Sequence, residues 1–86
     1  MMNIPKGDLL LLFTATWCGH CKLIYPKIEK YAKFHNIRLI KFDDSESIDH
    51  IMDQFNIEYY PTLIQVKDSK YIKIVGYDKI LNYITK

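Results

Sequence analysis

The chain of 86 residues has two cysteines, and both lie in one short stretch, Trp17-Cys18-Gly19-His20-Cys21-Lys22. Apolar residues before the stretch predict a strand and the pattern after it predicts a helix, so Cys18 is expected in the first helical turn. Unpaired backbone N–H groups and the positive end of the helix dipole stabilise a thiolate there and lower its pKa. Two thiols at this spacing can reach each other and little else. The stretch therefore predicts a pair that cycles between dithiol and disulfide.

The residues on either side of this stretch predict a strand–helix–strand unit. Residues 8–14 are almost all apolar, as in a central strand covered on both faces. Within 19–35 the apolar residues recur every three or four positions, on one helical face formed by Cys21, Ile24, Tyr25, Ile28, Tyr31 and Ala32. Pro26 lies inside this helix and is expected to kink it. Residues 37–43 predict a second strand, parallel to the first through a right-handed crossover.

Two further helices are predicted beyond the second strand. Ser45 or Ser47 is expected to cap the first of them, and Asn56 suits the left-handed residue that ends it. The inward face of this short helix is formed by Ile48, Ile51, Met52 and Phe55. Asp78 is expected to cap the last helix, whose inward residues are Ile80, Leu81 and Ile84.

Between these two helices the sequence predicts a β-hairpin. Residues 62–67 and 70–75 are rich in strand-forming side chains, and Asp68-Ser69 separates them as a turn. The element order β-α-β-α-β-β-α predicts an α/β fold with a four-stranded mixed sheet flanked by three helices. We expect one domain over residues 1–86, in which residues 1–7 form a loose tail.

Composition excludes several classes of partner. The net charge is +2 and the lysines are spread along the chain, so we expect no nucleic-acid binding. No run approaches the roughly 20 apolar residues that span a bilayer, and we expect no membrane association. Lys6 and Asp8 flank the short apolar run too closely for a signal peptide. One closely spaced cysteine pair cannot staple a secreted fold, so the expected compartment is the cytoplasm.

With its elements in this order, the chain resembles the thioredoxin superfamily in a minimal, glutaredoxin-sized version. Its Cys18-Gly19-His20-Cys21 run resembles the active site of protein disulfide isomerases. The resemblance extends to residues at matching positions along the chain: Phe13, Pro26, Ile57, Tyr60-Pro61-Thr62 around the family's cis-proline, and Gly76. The family's buried acid falls on Leu12 in this sequence, and Lys41 falls near the accompanying lysine, to which we assign no role.

Three residues of the motif are expected to carry the chemistry. Cys18, exposed at the helix start, is the expected nucleophile, which forms a mixed disulfide that Cys21 resolves. His20 is expected to stabilise the thiolate of Cys18 and so favour the reduced protein, making it a stronger oxidant. This predicts a reduction potential between that of thioredoxin, roughly −270 mV, and that of protein disulfide isomerase, about −180 mV.

Substrate is expected to bind beside the cysteines. In the context of the motif, the peptide bond before Pro61 is expected to be cis, which leaves the backbone of Tyr60 available to pair with an extended substrate. Trp17, directly before the nucleophile, is expected to form a partly open apolar platform with Tyr60 and Gly76. His35 and His50 are expected to be solvated residues on helix surfaces.

Other interpretations differ in cofactor and partner. A zinc site needs four ligands, and His20, His35 and His50 do not provide a recognised spacing with the cysteines, so no metal or other bound cofactor is expected. Lys22 stands where covalent haem attachment needs histidine. A glutathione-dependent, glutaredoxin-like enzyme remains an alternative, since Asp78 loosely matches a glutathione-binding acid.

A redox sensor or binding protein is the other alternative. It is favoured because Leu12 stands where the resembled family has its buried acid. For the enzyme, glutathione or a reductase of the thioredoxin-reductase type is the expected electron donor. Protein disulfides or dithiols are the expected substrates, and the chain is expected to act as a monomer.

Overall fold

The computed structural model describes residues 8–44 and 49–85, and its elements follow the predicted order. They are β1 (Leu9–Thr14), α1 (Gly19–Phe34), β2 (Arg38–Asp43), α2 (Asp49–Phe55), β3 (Thr62–Lys67), β4 (Lys70–Val75) and α3 (Tyr77–Ile84). The predicted caps Ser45 and Ser47, the inward residue Ile48 and the tail of residues 1–7 lie outside the described residues.

The four strands form one mixed sheet in the order β2-β1-β3-β4. Strand β1 pairs in parallel with β2, where Leu12 lies opposite Lys41, as the crossover through α1 predicts. It pairs antiparallel with β3, and β3 pairs antiparallel with β4. The predicted α/β class and four-stranded mixed sheet are confirmed.

Strand β1 is apolar from Leu9 to Phe13 because both of its faces are covered. Leu9, Leu11 and Phe13 point to one face, where α2 adds Ile51 and Phe55. The ring of Phe13 stacks on that of Phe42, with centroids 5.1 Å apart. The alternate residues Leu10 and Leu12 point to the other face and pack with residues of α1 and α3, among them Ile24, Ile28 and Ile80. All six residues of the strand are buried.

Left-handed backbone conformations occur where the chain turns sharply. Asn56 has φ 53° directly after α2, which confirms its predicted place as the residue that ends the helix. In the hairpin Asp68 and Ser69 have φ 52° and 68°, the signs that a two-residue turn between twisted strands requires. Both residue types tolerate this region better than most.

The predicted cap of the last helix is wrong. Gly76, with φ 94° and ψ 155°, is the N-cap of α3, and no side chain caps the helix. The chain turns from β4 into α3 at this glycine, so the helix begins at Tyr77 and Asp78 falls inside its first turn. A carboxylate there still interacts favourably with the positive end of the helix dipole.

Candidate functional site

The predicted site residues lie at one end of the sheet because of its topology. The carboxyl ends of the parallel strands β1 and β2 meet at this end, and β1 leads into the loop that carries the cysteines. Since β3 is antiparallel to β1, its first residue, Thr62, lies opposite Phe13 and places Pro61 at the same end. The backbone N–H of Gly76 donates to the carbonyl of Pro61 at 2.9 Å and adds the β4–α3 junction.

The two cysteines are joined in a disulfide at the start of α1, with their Cα atoms 5.3 Å apart. Cys18 is the N-cap of α1, and its Sγ accepts a hydrogen bond from the backbone N–H of Cys21 at 3.2 Å. This is the place at which the sequence predicts a stabilised thiolate.

Cys18 is only 7% exposed, so the prediction of an exposed nucleophile is wrong for this disulfide state. Its sulfur is bonded to Cys21, itself 2% exposed, and the pair packs with Ala15 and Tyr60. Bonding and packing together cover most of the Cys18 side chain.

The Tyr60-Pro61 peptide bond is cis, as predicted. Pro61 is buried and its carbonyl accepts from Gly76, while the hydroxyl of Thr62 donates to the carbonyl of Tyr59 at 2.6 Å. A Cβ atom placed on Gly76 would have no atom of the described residues within 4 Å, apart from its chain neighbours, so the space at this glycine is open. Pro61 and Gly76 thus form a hydrogen-bonded pair next to open space.

Trp17 and Tyr60 form an aromatic pair beside the disulfide. Trp17 is 72% exposed, and its ring meets that of Tyr60 edge to face, with centroids 5.8 Å apart. The hydroxyl of Tyr60 lies 3.5 Å from the sulfur of Met52, to which it donates. Burial raises the pKa of Tyr60, and the carboxylates of Asp44, Asp43 and Asp49 raise it further. The phenol is therefore neutral over the physiological range.

Asp44 holds the loop before the cysteines, a role that the sequence analysis missed. Its carboxylate accepts from the backbone N–H of Thr16 at 3.2 Å and from Nε1–H of Trp17 at 3.1 Å. Its own backbone N–H donates to the carbonyl of Thr14 at 3.0 Å. One signal could have found it: Asp44 follows β2, whose end meets the end of the parallel strand β1.

His20 is exposed and its ring stacks at a tilt on that of Tyr77, with centroids 5.2 Å apart. The contact joins the first turn of α1 to the first turn of α3, close to Gly76. His35 instead lies at the far end of α1, where its ring is 4.3 Å from that of Tyr31. His50 is exposed on α2. The structure therefore brings one of the three histidines next to the cysteines.

Within residues 8–44 and 49–85 there is no group of three or more histidine, cysteine, aspartate or glutamate side chains that could hold a metal ion. Over the same residues, no helix has both the length and the apolar character needed to cross a membrane.

A family model described as Thioredoxin matches residues 1–86. Among curated proteins, a protein disulfide-isomerase of Arthroderma benhamiae is 45% identical in an alignment of 64 residues that covers 70% of this chain and 12% of that protein. Thioredoxin H2 of Arabidopsis thaliana is 38% identical in an alignment of 81 residues that covers 90% of this chain and 60% of that protein. The chain thus spans a small part of the isomerase and less than two thirds of the thioredoxin.

Solved structures give the same result at the level of the fold. Mitochondrial thioredoxin 3 from Saccharomyces cerevisiae in its oxidized form is 30% identical, with a TM-score of 0.76 over 93% of this chain and 78% of that one. Thioredoxin O2 from Arabidopsis thaliana, also oxidized, is 30% identical with a TM-score of 0.78 over 91% of this chain and 70% of that one.

Proposed function

The chain belongs to the thioredoxin family, and we propose that it works as a thiol–disulfide oxidoreductase on protein cysteines. The observation that carries the proposal is the pair itself. Cys18 caps the start of α1, where a thiolate is stabilised, and Cys21 is close enough to form a disulfide with it. Both cysteines pack against Tyr60, whose ring meets the exposed ring of Trp17.

In the reducing direction, the thiolate of Cys18 attacks one sulfur of a substrate disulfide. A bond forms between Cys18 and that sulfur, and the other substrate sulfur leaves as a thiolate. Cys21 then attacks Cys18, which releases the second substrate sulfur and leaves the Cys18–Cys21 disulfide. Two electrons and two protons pass to the substrate, and the same steps reversed oxidise a dithiol.

We propose that an extended segment of the substrate lies across Trp17, Tyr60, Pro61 and Gly76. This placement is supported by the large exposed surface of Trp17. It is also supported by the space at Gly76, where a Cβ atom would have no described residue other than its chain neighbours within 4 Å. Exposed aromatic rings contribute much contact area at a small cost in conformational entropy. Since the contacts use ring faces and backbone, the site suits many peptide sequences.

His20 bears on the direction of the reaction in this proposal. An imidazole in the first turn of α1 favours the thiolate of Cys18 and hence the reduced protein, which makes the pair more oxidising. Its stacking on Tyr77 holds the ring at the start of the helix and supports such a role. A reductase or glutathione is the proposed electron donor, and the cytoplasm the proposed compartment.

The test is reduction of insulin disulfides with dithiothreitol as the electron donor. The wild-type chain should accelerate the reaction over many turnovers, and Cys18→Ser should abolish the acceleration because the nucleophile is lost. Cys21→Ser should instead accumulate a mixed disulfide with the substrate, visible by mass spectrometry without reducing agent. His35→Ser, at the far end of α1, is the matched control and should keep full activity.

A redox sensor that keeps this fold would react once with a substrate disulfide and would not recycle. A single turnover by the wild-type chain in excess dithiothreitol would therefore refute the enzyme and support the sensor.

A further inference from the structure

The outer face of α1, which points away from the sheet, combines exposed apolar and basic side chains. Leu23 and Phe34 are 58% and 85% exposed. They lie eleven residues apart, roughly 16 Å along the helix axis at about 1.5 Å per residue. Lys27 and Lys30 lie between them on the same face, since residues three or four positions apart are neighbours on a helix. We call these four residues the outer stripe.

Two cavities of about 400 Å³ and 420 Å³ lie along the outer stripe. Lys27 and Lys30 line both cavities, so their side chains stand between the two. Leu23 and Pro26 line the first cavity, at the end of the stripe nearer the cysteines. The second cavity is a groove between α1 and α3, and its apolar lining consists of Tyr31, Phe34, Leu81 and Ile84. The surface thus has an apolar recess at each end and positive charge in the middle.

The charges of Lys27 and Lys30 have no counterpart on α1. No aspartate or glutamate lies three or four positions from either lysine in the sequence. Burial, and then the charge of Glu29, raise the pKa of Tyr25, which places this carboxylate on the side of α1 that carries Tyr25 rather than on the stripe. Like charges one helical turn apart repel each other. A negatively charged partner at the stripe is therefore favoured electrostatically.

We propose that the outer stripe binds an acidic amphipathic helix of a partner protein. The helix lies along α1, with one apolar side chain in each cavity and carboxylates facing Lys27 and Lys30. A groove between two helices accepts the ridge of side chains of a third, and such grooves commonly bind amphipathic helices. A bilayer is a less suitable partner, because two separate recesses need protruding side chains to fill them. Binding involves neither cysteine, so the proposal goes beyond the proposed function and does not depend on it.

The probe for this site is a synthetic peptide of about 18 residues, held helical by a side-chain cross-link on its far face. It carries two leucines about three turns apart on one face, to match the two cavities, and glutamates between them. A reference peptide has the same composition, with the glutamates moved to the opposite face. Both are titrated into the isotopically labelled chain while amide chemical shifts are followed. The probe should shift amides of α1 and α3 around the cavities, and the reference peptide should bind at least about tenfold more weakly.

A first variant tests the apolar end of the stripe. Phe34→Ser removes the exposed ring of the groove and should weaken probe binding by about tenfold or more, as the loss of an aromatic anchor does. Tyr59→Ser removes another exposed ring, in the loop before β3, and is the matched control. It should bind the probe as the wild type does.

A second variant tests the charges. Lys27→Glu together with Lys30→Glu should weaken binding of the probe by about tenfold or more. The same variant should bind a peptide with lysines in place of the glutamates better than the wild type does, which separates a charge contact from a loss of folding. Lys67→Glu together with Lys70→Glu reverses two exposed charges on the β3–β4 hairpin and is the matched control.

Absence of probe binding up to about 1 mM would overturn the proposal, as would equal affinities of the probe and the reference peptide. Unchanged binding by both stripe variants would also overturn it. If Phe34→Ser does not fold by circular dichroism, the charge-reversed variant and the lysine peptide decide.

Two competing occupants of the stripe are tested with the same variants. Binding to vesicles of phosphatidylcholine and phosphatidylserine, without binding to the probe, would assign the stripe to a lipid surface. Self-association in sedimentation velocity that Phe34→Ser abolishes, again without binding to the probe, would assign it to a second copy of the chain. Either result would overturn the proposal of a partner helix.

Discussion

Two glycines of the site allow one chemical change to be tested in two backbone conformations. Among residues 8–44 and 49–85, and leaving out chain neighbours, no atom lies within 4 Å of a Cβ placed at Gly19 or Gly76, so neither substitution by alanine creates a clash there. Gly19 is the first residue of α1, whereas Gly76 has φ 94° and ψ 155°, a region that essentially only glycine occupies. Alanine also keeps the N–H that Gly76 donates to Pro61. Backbone strain is therefore the main difference between the two variants.

Gly76→Ala should lower the free energy of unfolding by about 2 kcal/mol, within the range of about 1–3 for a residue forced into this region. Gly19→Ala should raise it by about 0.4–1 kcal/mol, because alanine reduces the entropy of the unfolded chain and suits a helix. For a chain of this size, a loss of about 2 kcal/mol lowers the melting temperature by roughly 8–16 °C.

Urea unfolding of the disulfide form, followed by far-UV circular dichroism, measures both values. Circular dichroism is preferred to fluorescence because Trp17 is already 72% exposed in the folded protein. The slope of free energy against urea should be the same in all three proteins, since the surface exposed on unfolding barely changes. A Gly76→Ala protein as stable as wild type, or as stable as Gly19→Ala, would refute the argument from backbone conformation.

Three further outcomes are expected. His20→Ser should lower the reduction potential in glutathione buffers by on the order of 30 mV, equivalent to about 1.4 kcal/mol. His35→Ser is the control and should leave the potential unchanged. An unchanged potential in His20→Ser would contradict the role of the imidazole. Asp44→Ala should lower the free energy of unfolding in urea by about 1 kcal/mol, because two charge-assisted hydrogen bonds are lost but the indole is largely in water. An unchanged unfolding midpoint would show that these two hydrogen bonds contribute nothing to stability. Because the pKa of Tyr60 is raised in the folded state, the phenol keeps its proton to a higher pH there than in the unfolded state. Its contribution to the free energy of unfolding is therefore complete below the unfolded pKa of about 10 and is lost as pH rises through the folded pKa. In Tyr60→Phe the free energy of unfolding should therefore fall less steeply with pH above about pH 10. An unaltered pH dependence would contradict the raised pKa of Tyr60.

The strands and helices could be predicted because their patterns are local. The first five residues of strand β1 are all apolar, which indicates two covered faces. The structure has α2 on one face and α1 and α3 on the other. The turn at Asp68-Ser69 combines two residue types that tolerate positive φ between two runs of β-formers. In both places, residues within a few positions of one another determine the conformation.

The place of Asp44 after β2 could be predicted, but its hydrogen-bond partners could not, because they are distant along the chain. Its bond to Trp17 spans 27 residues, and it forms only once β1 and β2 are paired in their final register. The burial of Cys18 likewise depends on Tyr60, which reaches the disulfide from the loop before β3. Such contacts depend both on the sheet topology and on the exact paths of the loops. The sequence pattern predicts the topology but not the loop paths.

At α3 the residue preference for N-caps predicted the wrong N-cap. Aspartate is a favourable N-cap, which made Asp78 the expected cap of the helix. The helix instead starts directly after Gly76, because the extended positive-φ conformation of this glycine turns the chain out of β4. The hydrogen bond from Gly76 to Pro61 fixes that turn, and it comes from tertiary structure.

The sheet order has a consequence for amide hydrogen exchange. Backbone N–H groups of β1 are flanked by β2 and β3 and covered on both faces, so they should exchange only when the whole sheet opens. Strand β4 is an edge, with Tyr71 and Ile72 exposed, and its outward N–H groups should exchange through local fluctuations. The cysteine loop thus extends from a central strand, and Gly76 from an edge strand. Fluctuations of the β4 edge should therefore displace Gly76 more than the two cysteines.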